Sequence, residues 1–148
     1  MFFSVLAAVF ALAFFLQQFQ WLAIGGANPN LALIFFGLLA VSRRPLFAKI
    51  SAGSVLALVA WLIGGFWIFQ ILALAAIFFV FLFLRKFLTG NAFADFAVFA
   101  ATGTFLFYMV SGLGGWQFLP WGAIIKETLY SLVLGLWLVF IFNDEKKD

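Results

Sequence analysis

Lys126 and Glu127 stand side by side about one and a half turns into the last apolar stretch of the chain, "WGAIIKETLYSLVLGLWLVFIF". Ionisable groups at mid-membrane depth cost roughly 2.5–3.5 kcal/mol on insertion scales, and less near an interface. Adjacent residues on a helix point about 100° apart, so the two need not bond to each other. They read either as a snorkelling lysine beside an interfacial carboxylate, or as a polar contact within a bundle or with a partner.

Asp95 is the other carboxylate inside an apolar run, just after "RKFLTGN". There it can favour a helix N-terminus and neighbour Arg85 or Lys86. Thr102 lies seven residues further on the same predicted face, but two polar groups do not make an ion path. Asn28 and Asn30 frame Pro29, and Gln17, Gln18, Gln20 and Gln70 fall near predicted helix ends. Neutral amides can cap a helix or hydrogen-bond between helices, for about 1–2 kcal/mol at most.

Little other chemistry is available. The chain has no histidine and no cysteine, and three of its five carboxylates (Asp144, Glu145 and Asp148) lie in the last five residues. This excludes thiolate zinc sites, disulfides and histidine acid–base work. No glycine-rich phosphate loop, no carboxylate pair at metal spacing and no serine with a histidine partner is present. The chain reads as a non-enzyme, with no catalytic residue, no metal site and no cofactor. Its basic residues sit at loop ends rather than in one patch of sequence, so no nucleic-acid partner is expected.

The elements that must position these groups are hydrophobic. Of the 148 residues, 68% are hydrophobic and 9% charged, against about 25% charged in a soluble domain. Such a chain cannot cover a globule with polar surface, and a lipid bilayer is its expected surrounding. The N-terminal run lacks a positive leader and exceeds a signal peptide's apolar core, so it reads as a retained span.

Continuous apolar runs without period-two alternation predict helices rather than a barrel. Six are expected, at about 2–24, 30–42, 46–64, 66–85, 92–113 and 119–142, making one transmembrane domain, with 143–148 a charged tail. With the N-terminus inside, Arg43, Arg44, Lys49, Arg85, Lys86, Lys146 and Lys147 all fall on one side, seven of the eight positive residues. The positive-inside rule makes that side cytoplasmic and puts both termini there. Trp21, Trp61, Trp67, Trp116 and Trp121 then mark the outer boundary.

The second segment is undersized. Pro29 suits a helix start, Asn28 or Asn30 a cap, and so short a helix needs shelter from longer neighbours. Small residues at Ala48, Ala52, Ala60 and Gly64, with Gly53 and Ala57 on an adjoining stripe, let the third helix approach others closely. Ala97, Ala101 and "TGT" suggest the same for the fifth, within the bundle or as a groove for a partner helix.

The stretch "PNLALIFFGLLAVSRRP", then "AKISAGSVLALVAWLIGG", and finally "KETLYSLVLGLWLVFIF" with its charged tail, resembles the bacterial rod-shape-determining MreD family. Where members commonly carry an acidic residue in the third span, this chain has Ala57 and Ala60. The resemblance implies a non-enzymatic scaffold of the cell-elongation (rod) complex in the plasma membrane. It would bind an MreC-like single-span protein and support MreB and the wall-synthesis enzymes. The family fold is also similar to the substrate-binding subunits of energy-coupling-factor vitamin transporters, the alternative function. Those subunits dock through an alanine-x-x-x-alanine pattern in their first span, which Ala7 and Ala11 match.

Overall fold

The computed structural model describes residues 2–19, 23–25, 28–63, 68–111 and 120–144. They form six α-helices: α1 (Phe2–Gln18), α2 (Leu31–Val41), α3 (Leu46–Leu62), α4 (Ile68–Leu84), α5 (Ala92–Ser111) and α6 (Trp121–Asp144), with a 3-10 turn at Arg85–Phe87 after α4. The first helix stops at Gln18, well short of the predicted boundary at 24, where the run of glutamines replaces apolar residues. The other predicted segments fall on helices within a few residues of their expected ends.

Among the described residues, three helices are long and apolar enough to cross a membrane: Ile68–Phe87, Ala92–Val110 and Trp121–Ile141. Only 28%, 39% and 28% of these stretches are buried inside the protein. Their outward faces carry Phe69, Leu72, Phe79, Phe83, Leu129, Val133 and Trp137, each at least half exposed. So much apolar surface is stable only against an apolar solvent. The chain is a membrane protein.

The short helix has the opposite surroundings. α2 reads "LALIFFGLLAV", apolar on every side, and eight of its eleven residues are buried. A helix apolar all round belongs in an interior. It touches every other helix, while α1, α3, α4, α5 and α6 follow one another around it, each packed on the next. α6 and α1 share no comparable contact, so the ring is weakest between them. The shelter expected for the second segment is therefore burial at the axis of the bundle.

Glycines and phenylalanines set the spacing around this axis. Phe96 of α5 is fully buried and lies between Gly37 of α2 and Gly135 of α6. A Cβ at Gly37 would stand 2.8 Å from the Phe96 ring and 2.7 Å from that of Phe99. A Cβ at Gly135 would meet Phe96 more closely still. Gly53 of α3 gives the same room to Phe78 of α4, whose ring centroid is 5.2 Å from that of Phe36.

Ala52, Gly53 and Ala60 are buried, and Ala57 half-buried, on the side of α3 that faces the bundle; Gly64 lies outside the described residues. On α5 the expected run divides: Gly103 and Thr104 are buried, Ala97 is half-buried, and Ala101 and Thr102 are exposed on the side open to a partner. Phe96, Phe99, Ala100, Gly103, Thr104 and Phe107 form the interior face. Phenylalanine rings in the glycine notches of α2 and α6, together with the close approach of Gly103 to Leu33, bring α5 to its neighbours.

Candidate functional site at the two ends of the central helix

A helix of eleven residues is about 16 Å long, roughly half the hydrocarbon core. Buried at the centre of an apolar bundle, its free N–H and C=O groups need partners from the protein itself. Those groups are the local problem that the neighbouring polar side chains solve.

At the N-terminal end the acceptors are neutral amides. Asn30 is the cap, and its Oδ1 accepts from the Leu33 N–H at 3.0 Å. Gln17, from the end of α1, accepts from the Leu31 N–H through Oε1 at 3.3 Å. Its backbone carbonyl accepts from Asn28 Nδ2 at 2.9 Å. Pro29, fully buried, fixes the turn between these two contacts. The Asn28 Oδ1 is buried without a hydrogen-bond partner.

Asn30 also faces the Glu127 carboxylate, which accepts a hydrogen bond from the Tyr108 hydroxyl. Asn30, Tyr108 and Glu127 come from α2, α5 and α6, so three helices meet at one carboxylate. Glu127 thus lies against the start of α2, where the helix dipole favours negative charge. The antiparallel register that pairs Glu127 with Tyr108 and Gly135 with Phe96 brings Ser131 level with the Ala100–Thr104 turn. Ser131 is completely buried with its Oγ unpartnered, and the Thr104 hydroxyl donates to the Ala100 carbonyl at 2.7 Å.

At the C-terminal end the donors are cations. The buried Lys49 of α3 donates from Nζ to the Ala40 carbonyl at 2.8 Å. Arg85, just beyond α4, donates through Nη2 to Val41 O at 2.9 Å and through Nη1 to Ser42 O at 2.8 Å. Ser42 completes the set, its N–H bonding Leu38 O at 3.0 Å and its hydroxyl bonding Leu39 O at 2.8 Å. Every carbonyl from Leu38 to Ser42 has a donor. Lysine and arginine here satisfy acceptors and oppose the negative end of the helix dipole.

Of the residues singled out in the sequence, Asn28, Pro29, Asn30 and Glu127 gather at one end of α2. Lys126 turns outward and is exposed, as the 100° offset from Glu127 predicts. Asp95 is at the other end of the bundle, 2% exposed. Its Oδ1 accepts from the Thr89 N–H and hydroxyl, at 3.2 and 2.8 Å, and thereby closes the turn before α5. Asn91 caps that helix, bonding Phe93 N at 2.9 Å. Arg85 and Lys86 are engaged elsewhere, Arg85 with the carbonyls of α2 and Lys86 over the Phe83 and Phe87 rings.

Sequence reading missed Tyr108, Lys49, Arg85 and Ser131 as members of these clusters. A signal for part of the set exists: Glu127, Ser131 and Gly135 recur at spacing four and form the buried stripe of α6. Lys49 inside an otherwise apolar helix is another. No protein family, no curated protein and no solved structure matches this chain.

Proposed function

We propose that the chain is a non-enzymatic membrane scaffold of the bacterial cell-elongation (rod) complex, with an MreC-like membrane protein as its direct partner. In this reading all six helices lie in the plasma membrane, both termini are cytoplasmic, and MreB and the wall-synthesis enzymes are reached through that partner. One observation carries it: the segment with the strongest family likeness, "PNLALIFFGLLAVSRRP", contains the buried axis on which every other helix packs. The polar groups around it are supported in a packing role by their hydrogen bonds to the ends of that axis. The outward faces of α4, α5 and α6 leave wide apolar surface for partner helices.

Asn28 Oδ1, buried and unpartnered two residues before Asn30, is the observation that favours the transporter-subunit alternative, as a ligand contact. Against it, Ala7 and Ala11 pack on the hydrophobic core, which occupies the face a docking motif would need. Co-expression with an MreC-like protein and detergent pull-down tests the scaffold reading. A stable complex is expected, and reproducible failure to co-purify overturns it. A vitamin retained in native mass spectrometry would favour the transporter subunit.

A further inference from the structure

We propose that the basic end of the bundle is a binding site for the phosphate-bearing headgroup of an anionic phospholipid. The inference is independent of any protein partner and needs only a bilayer around the long helices.

The site is assembled by Arg85. Its two hydrogen bonds to Val41 O and Ser42 O tie the turn after α4 to the turn between α2 and α3. This places Arg43 and Arg44, exposed on one turn, beside Lys86, exposed on the other. Behind them Lys49 and Arg85 converge on the same helix end, close enough to feel each other's charge. Five cations from three parts of the chain thus share one end of the bundle. The nearest carboxylate in sequence, Asp95, is buried and committed to Thr89. The sequence beyond α6, "EKKD", balances two carboxylates with two lysines.

Anionic headgroups are the complement of such a cluster, since each Lys or Arg near a charged leaflet contributes about 1 kcal/mol. Arginine matches phosphate oxygens through paired N–H donors. The surroundings favour a lipid over a soluble anion. Phe47, Phe83 and Phe87 flank the same turns at 81%, 67% and 71% exposure, an apolar rim for acyl chains below a headgroup. Lys86 lies over the Phe83 and Phe87 rings, 4.7 and 4.9 Å from their centroids, with its ammonium at the boundary between rim and cluster.

The test uses the full-length protein in micelles of a neutral detergent. Phosphatidylglycerol and phosphatidylcholine with identical acyl chains are titrated separately, with inorganic phosphate as a third arm. Tm and the lipid retained in native mass spectrometry are the readouts. Phosphatidylglycerol is expected to raise Tm and stay bound, whereas the other two do neither. The variant Arg43→Gln/Lys86→Gln spares the side chains bonded to α2, so its lipid-free Tm should stay close to the parent's. Its phosphatidylglycerol affinity should fall about thirtyfold. If that variant does not fold, the parent decides the matter, because binding at this site must weaken steeply as salt is added. Equal stabilisation by phosphatidylcholine, affinity unchanged in the variant, or binding insensitive to salt overturns the proposal. Full stabilisation by inorganic phosphate alone overturns the lipid assignment in favour of a soluble-anion site.

Discussion

The two ends of α2 solve one problem with different chemistry. At its start, neutral amides from Asn30 and Gln17 accept from backbone N–H groups, and a carboxylate stands behind Asn30. At its finish, Lys49 and Arg85 donate directly to the backbone carbonyls. The dipole explains the signs, since anions are favoured at a helix N-terminus and cations at its C-terminus. Depth explains the difference in directness. Long lysine and arginine chains can reach a buried carbonyl from an end of the bundle near its exposed basic turns. The carboxylate of Glu127 is reached by a tyrosine and an asparagine from within. One end is a charged clamp and the other a neutral cap with a charge in reserve.

If that contrast is right, the ends should fail unequally. Arg85→Ala removes donors from Val41 and Ser42 at once. A loss of about 3 kcal/mol is expected after allowing for partial exposure of the guanidinium, read as the steepest fall in Tm. Arg85→Lys should recover less than half of it, because an ammonium cannot reproduce the paired geometry. Full rescue by lysine would show that charge alone holds this end.

At the other end, Glu127→Gln and Tyr108→Phe should each cost about 1 kcal/mol, as polar contacts between membrane helices do. The double variant should cost clearly less than the sum, because the two groups share one bond. Strict additivity in thermal unfolding would separate them and dissolve the cluster. The smallest effect belongs to Lys126→Gln, which should leave Tm where it was. A large fall there would mean that this exposed lysine has a partner outside the chain.

The gross architecture was legible because apolar run length and turn residues are local signals. "NPN", eleven apolar residues and "SRRP" mark α2 as a short helix in need of shelter. Asn30 was legible as its cap for the same reason. The contact of Tyr108 with Glu127 spans nineteen positions and depends on the α5–α6 register, which apolar helices do not advertise. The reach of Arg85 to Ser42 spans forty-three and depends on three helices packing first. Spacing of small residues does not distinguish Ala101, which is exposed, from Ala100 and Gly103, which are buried, because the phenylalanine rings in the glycine notches set the face of α5.

The central position of α2 also constrains how the protein is made. At eleven residues it is too short to rest alone across a bilayer, and its partners Lys49, Arg85, Phe96 and Glu127 are all synthesised after it. Arg85 arrives forty-three residues after Ser42, and the Phe96 wedge is not closed until Gly135 of α6 appears. Insertion and folding of this chain therefore cannot proceed helix by helix. The basic clamp on its C-terminal end is complete only once Lys49 and Arg85 have been made, whereas Gln17 and Asn30, which cap its N-terminal end, precede it in the chain.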